Sequence, residues 1–133
     1  MTMTNCQKGA YAEMLFCAQA GFRGWEVYMP IGHAQTADVC IFKPPGRPIS
    51  VQVKMATWDE HHQSYVFTSG RGRSSKVAYA TGDFDVIAAW LPDAEEFVLW
   101  RFDEIRERKR IRYSPKRHRQ PGNWQLLEQL TTP

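Results

Sequence analysis

Apolar positions recur at helical spacing through residues 7–22 (QKGAYAEMLFCAQAGF), and the pattern predicts a helix there, ended by Gly21 or Gly24. Tyr11, Leu15, Ala18 and Phe22 make one stripe, while Ala10, Cys17 and Ala20 leave the opposite side small and apolar too. Such a helix is expected to be covered on more than one side. Short strand-like runs follow at Trp25–Pro30, Ala37–Lys43, Ile49–Thr57 and Tyr65–Thr68. The polar, Gly-rich stretch Ser69–Lys76 (SGRGRSSK) reads as a loop. Phe84–Leu91 is a near-continuous apolar run of the kind a central strand needs; Pro92–Asp93 turns the chain and Glu96–Arg101 returns it. A short helix is expected from about Asp103, and Trp124–Leu130 reads as a last helix. The order is helix, strand hairpins, then strands and a helix. It predicts an α+β (mixed α/β) fold over residues 1–133: one domain, a central mixed sheet flanked by helices, with neither a repeat nor a βαβ alternation.

Two of these strands, Ala37–Lys43 and Ile49–Thr57, are joined by the turn Pro44–Pro48. Alternation along a strand puts Gln52 and Lys54 on one face. Antiparallel pairing around that turn would set Lys43 opposite Ile49, Lys54 opposite Asp38 and Gln52 opposite Cys40. An acid, an amide and a lysine then converge on one face. The bland reading of that face is an Asp–Lys cross-strand pair worth under about 1 kcal/mol. On the first helix the only charge between Gly9 and Phe22 is Glu13. A lone carboxylate there either faces solvent at an uncovered spot or is held by a partner or a cation.

Composition changes the picture in a few places. The apolar fraction of 43% and the five Trp indicate a folded globule, and 133 residues suffice for one modest core. No apolar run approaches the roughly 18 residues of a membrane span. The start, MTMTNCQKG, is unlike a signal peptide. Cys6, Cys17 and Cys40 fit no zinc spacing and no disulfide framework, so a reduced, cytoplasmic setting is expected. The net charge of +3 is uneven: residues 101–120 hold nine Lys/Arg against three acids, and the remainder eight against eleven. A basic segment broken by Pro115 and Pro121 suits a phosphate-bearing partner, or is a solvated tail.

Hydrolysis of a phosphodiester needs an activated water, a neutralised phosphate and help for the leaving oxygen. Mg²⁺ or Mn²⁺ on carboxylates and carbonyls supplies much of this, and an adjacent lysine orients the water and offsets charge. Asp38 is the obvious ligand, Glu13 a second if its helix packs there, Gln52 and the Val53 carbonyl neutral additions, and Lys54 the charged partner. Other clusters are weaker. In Asp59-Glu60-His61-His62 adjacent side chains point apart, which fits a solvated loop. His33 reads as a loop histidine. Gly70-Arg71-Gly72-Arg73 with Lys76 is too short for a P-loop, but either grips a phosphate backbone or forms a solvated turn.

Lys8-Gly9 and Glu13 on a first helix, then GWEVYMP, Ala37-Asp38 and Val51-Gln52-Val53-Lys54, resemble the PD-(D/E)xK nuclease superfamily. GDFDVIAAWL followed by EEFVLWRFDEI is similar to its group I intron homing endonucleases, and archaeal-type Holliday-junction resolvases are the other near group. The resemblance spans roughly residues 7–105. It implies a restriction-endonuclease-like sheet with the metal site at the hairpin: Glu13 the helix acid, Asp38 the aspartate, Lys54 the lysine. Ala37 replaces the proline of the name, and Gln52 stands where most members carry Glu or Asp. An amide brings no charge to Mg²⁺, although similar Gln-x-Lys sites occur in the intron-endonuclease group.

The expectation is therefore a Mg²⁺- or Mn²⁺-dependent endodeoxyribonuclease acting on duplex or branched DNA. Glu13, Asp38, Gln52 and Val53 would hold the metal and Lys54 would assist the water. Arg71, Arg73, Lys76, Arg108, Lys109, Arg110, Arg112, Lys116, Arg117 and Arg119 would follow phosphates. Cutting both strands with one small domain calls for a homodimer or homotetramer. The rival is an inactive nuclease-fold module that binds DNA or a protein.

Overall fold

The structure is a computed structural model and describes residues 2–31, 37–68, 70–71, 77–78, 84–106, 108–116 and 119–131. Helix α1 runs Asn5–Phe22, two residues earlier than the pattern predicts. Its start is set by a capping box: Gln7 N donates to Thr4 Oγ1 at 3.2 Å and Thr4 N donates to Gln7 Oε1 at 2.8 Å. At its end Arg23 N reaches back to Ala20 O at 3.1 Å, and Gly24 takes the left-handed conformation, φ 91°.

The face that α1 buries corrects the sequence reading. Ala12, Phe16 and Ala20 point inward, whereas Tyr11 is 44% exposed and Phe22 91% exposed. Leu15 only borders the core. A helix apolar nearly all round gives periodicity little to choose between. Packing decides instead: the two alanines let the helix approach the sheet, and Phe16 fits edge-on to Phe97 at 5.5 Å and stacks on Trp124 at 5.2 Å. In this chain α1 is covered on one side, not on several.

Strands β1 (Glu26–Tyr28), β2 (Val39–Phe42), β3 (Ile49–Met55), β8 (Val86–Leu91) and β9 (Glu96–Arg101) form the main sheet in the order β1-β2-β3-β8-β9. Among the described residues, only the β3–β8 pair of this sheet is parallel. The excursion between those two strands carries β4 (Thr57–Asp59), β5 (Ser64–Thr68), β6 (Gly70–Arg71) and β7 (Val77–Ala78). Within Ser69–Lys76, read as a loop, Gly70–Arg71 thus pairs with Val77–Ala78, and the other residues of that stretch lie outside the described ones. Strands β4 and β5 join β10 (Arg110–Tyr113) in a second sheet, ordered β10-β5-β4. Strand β10 lies inside the basic segment, where no strand is expected from the sequence. Helices α2 (Phe102–Ile105) and α3 (Gln125–Thr131) complete the fold.

Alternation divides the interior in two. Ile49, Val51, Val53, Val86, Ala88, Phe97 and Leu99 face α1 and α3. Ile87, Ala89, Leu91, Val98 and Trp100 face the other way, onto β5, β10 and α2. With both sides covered, all six residues of β8 are buried, as its unbroken apolar run predicts.

The β2–β3 register differs from the one read off the sequence. Val39 faces Val51, Cys40 faces Ser50 and Ile41 faces Ile49, a slip of two residues. Lys43 spends its carbonyl on Gly46 N within the turn at 3.0 Å, and Pro48 has no N–H, so the ladder closes at Ile41. A slip of two leaves every side chain on its face. Asp38 therefore reaches Gln52, not Lys54, as its opposite number, and Cys40 loses Gln52 to Asp38.

Phe16→Ala should cost about 3–5 kcal/mol, read from urea midpoints, while Phe22→Ser should change stability by under about 0.5 kcal/mol. The reverse ranking would mean that α1 presents its other face to the sheet.

Candidate active site

Asp38 stands where β2 separates from β3. Its N–H still donates to Val51 O at 2.9 Å. Among the described residues the β2–β3 ladder ends at Val51, and beyond it the side chain takes over on that edge: Asp38 Oδ2 accepts from Val53 N at 2.9 Å and from Gln52 Nε2 at 2.9 Å. The carboxylate thus holds open the end of the strand pair and fixes the Gln52 amide.

Gln52 is 7% exposed. With Nε2 committed to Asp38, its Oε1 is buried and has no hydrogen-bond partner among the described residues. An unsatisfied buried carbonyl costs about 1–3 kcal/mol, and few native groups are left so. Beside two carboxyls, a cation is the partner that such an oxygen suits. Lys54 lines the same cavity, and its charge acts to lower the Asp38 pKa.

Glu13 arrives from α1. Its carboxyl lies within hydrogen-bond reach of Asp38, and its pKa is raised from 4.5 to about 7, first by burial and then by the Asp38 charge. Burial also raises Asp38, against the pull of the Val53 N–H, Glu13 and Lys54. Two carboxyls this close titrate as a pair and share a proton near neutrality. Burial and then the Glu13 charge push the Cys17 thiol up, away from a nucleophilic thiolate.

The cavity has a volume of about 630 Å³ and is lined by Glu13, Asp38, Gln52, Val53 and Lys54 together with the first turns of α1 and with Thr57. The sequence-predicted centre is therefore assembled in one place. Lys8, Gly9 and Thr57 were not read as lining residues; Gly9, one turn before Glu13 on the helix, carried the signal for the first two. The donor set is hard oxygen, suited to Mg²⁺ or Mn²⁺. No group of three His, Cys, Asp or Glu is gathered among the described residues, and the Gln52 amide, fixed by Asp38, offers a third side-chain oxygen beside the two carboxyls.

The remaining candidates lie elsewhere. Asp59 accepts from Arg112 Nη1 at 2.8 Å and faces His62 Nδ1 at 2.8 Å, which occupies that cluster with its own contacts. Arg119 turns inward: it pairs with Glu104, donates to Leu99 O at 2.6 Å and lies over the Trp100 ring, and burial lowers its pKa. These contacts make its guanidinium a tie between β9, α2 and the C-terminal segment. Arg108, Lys109, Arg110 and Lys116 are exposed. Arg71 lies in β6. His33, Arg73, Lys76 and Arg117 lie outside the described residues.

A family model of PD-(D/E)XK endonucleases matches residues 3–131, well beyond the 7–105 span of the sequence resemblance. The chain belongs to the PD-(D/E)XK endonuclease family. Among solved structures, a bacterial homing endonuclease, I-Ssp6803I, is similar over 96% of this chain and 95% of its own, with 26% identity and a TM-score of 0.81. Comparison with the curated proteins finds no match. The restriction-endonuclease-like, single-domain α+β fold and the nuclease class follow from these findings. No helix among the described residues is long and apolar enough to cross a membrane.

For this PD-(D/E)XK chain the carboxyl pair has a consequence for stability without metal. Glu13 keeps a proton in the folded state that the unfolded chain has lost between pH 4.5 and about 7. The folded state binds more protons in that window, so stability is greatest at its acidic end and falls as pH rises through it. Urea midpoints in chelator should show this fall, and Glu13→Gln should flatten it. A parent curve that rises through the same window would contradict the shared proton.

Proposed function

We propose that this chain is a metal-dependent DNA endonuclease of homing-endonuclease or junction-resolvase type that hydrolyses phosphodiester bonds at the Asp38 cavity. The observation that carries the proposal is the buried Gln52 Oε1, without a hydrogen-bond partner among the described residues, beside the Glu13–Asp38 pair, with Lys54 on the same cavity. The similarity to a homing endonuclease supports the substrate class.

Glu13, Asp38 and Gln52 Oε1 would hold Mg²⁺ or Mn²⁺, with the Val53 carbonyl a further oxygen. When bound, the ion supplies charge neutralisation at the phosphate and a more acidic water. The chain does the positioning. Asp38 keeps Gln52 and the strand end fixed through Oδ2, so little reorganisation is left for the reaction. Lys54 places its ammonium beside the site, where it orients the attacking water and offsets the charge developing on the phosphate. Glu13 would have to give up the shared proton to hold a cation, because a ligating carboxyl must be ionised. Cleavage of both strands calls for a second centre, hence a homodimer or homotetramer.

A second reading has one observation in its favour: Gln52 brings no charge where most of the family has a carboxylate. An inactive module on this fold would bind DNA or a protein without cutting. Cleavage of plasmid and branched DNA in Mg²⁺ or Mn²⁺ separates the two. Asp38→Asn and Lys54→Ala should each lower the rate by roughly 10²–10⁴-fold, and Gln52→Glu should retain cleavage while Gln52→Leu loses it. If Asp38→Asn cuts like the parent, the site is wrongly placed; if the parent never cuts, the inactive module stands.

A further inference from the structure

The outward face of the second sheet carries a pattern that a phosphate-following surface has no use for. Along β10, Arg110 and Arg112 are exposed while Ile111 and Tyr113 are buried. Arg110 pairs with Thr68 and Arg112 with Val66; Val66 in turn pairs with Thr57, and Ser64 with Asp59. Alternation puts these partners on one outward face. The face borders the candidate active site: its cleft of about 290 Å³ shares Met55 and Thr57 with the Asp38 cavity.

Asp59 sits within this face. It accepts from Arg112 Nη1 at 2.8 Å, and Arg112 and then His62 hold its carboxyl well below the usual carboxylate range. Arg112 Nη1 also reaches Ser64 Oγ at 3.3 Å. The two side chains stay open to a ligand, with Arg112 38% and Asp59 24% exposed. A carboxylate so placed repels phosphate and cancels the charge of its arginine. The pair therefore adds little to salt-dependent, sequence-blind binding, which grows with the number of phosphates neutralised. It adds direction instead. Only Nη1 of Arg112 is engaged among the described residues, which leaves Nη2 and Nε for a planar, two-pronged contact. Such a fork matches O6 and N7 of guanine in the major groove. Three strands about 4.8 Å apart make a face close to that groove's width of about 12 Å, and strands serve as readers in other protein–DNA contacts.

We propose that the outward face of β4, β5 and β10 enters a groove of duplex DNA and reads base edges there, with Arg112, steered by Asp59, as the specificity-determining guanidinium. This rests on the reading of the chain as a DNA endonuclease, and it assigns Arg112 to bases where the charge pattern of the sequence suggests phosphates. Arg110, which has no ion-pair partner among the described residues, supplies the neighbouring backbone contact, and Thr57 and Thr68 complete the face.

The test is selection of bound duplexes from a pool randomised in sequence, with full-length protein in chelator, followed by affinity against salt concentration. The parent should enrich a motif that contains a guanine. Arg112→Lys and Asp59→Asn should each lose about tenfold or more of the preference at that position, yet bind the unselected pool within about threefold and with a salt slope changed by less than about one. Two variants guard against one that fails to fold. Uniform weakening with a shallower slope would make Arg112 a phosphate contact and overturn the inference. An unchanged motif in both variants, or no motif in a parent that cuts DNA, overturns it and leaves the nuclease reading intact. A parent that binds no duplex at low salt overturns both.

Discussion

One carboxylate oxygen organises this molecule's chemistry. Asp38 Oδ2 accepts the Val53 N–H and the Gln52 amide at the point where β2 leaves β3. Without it the Val53 N–H on the β2 side of β3 would lose its acceptor and Gln52 its orientation. With it, Gln52 commits Nε2 as donor to Asp38, and its Oε1 is left buried with no partner among the described residues. The same carboxylate meets Glu13 from the helix and feels Lys54 from the strand. Fold and candidate site are thus joined by a single group: the interaction that ends a ladder also presents oxygens of the kind a hard cation suits.

The rest of the architecture keeps that junction in place. Helix α1 is held to the sheet by Ala12, Phe16 and Ala20, and Glu13, next to Ala12, is carried inward with that face. Strand β3 lies between β2 and the fully buried β8, and Gln52 and Lys54 sit on the part of it paired with β8. The second sheet leaves β3 by way of Ala56, which is buried in the opposite core, and brings Thr57 to the mouth of the cavity. The proposed cation site, on paired strands beside a polar sheet face, is the arrangement that a nuclease of this family would need for holding a phosphate and reading what lies next to it.

How much of this was legible in the sequence varies with the physics at each position. The apolar run of β8 could be nothing but a covered strand. The face shared by Asp38, Gln52 and Lys54 survived a two-residue error in register, because alternation has a period of two. The buried face of α1 was not legible: with Tyr11, Met14, Phe16 and Phe22 all large and apolar, only the fit of Phe16 between Phe97 and Trp124 decides it. Strand β10 was hidden because Arg110 and Arg112 mask an otherwise ordinary alternation with Ile111 and Tyr113. The inward use of Arg119 depends on Glu104 and Leu99, partners 15 and 20 residues away in the chain. The meaning of Gln52 was half legible. Its amide looked like a weakened ligand; only the hydrogen bond to Asp38 shows which of its two ends is left over.

The most direct test of the central claim is proton release on cation binding. Mn²⁺ is titrated calorimetrically into the metal-free protein near pH 6.5, in buffers of differing ionisation enthalpy. A carboxyl pair that shares a proton and then ligates should release about one proton per ion bound, with the release lost in Glu13→Gln and the binding lost in Asp38→Asn. Binding without proton release, or binding that survives Asp38→Asn, would contradict a cation site made by Glu13, Asp38 and Gln52.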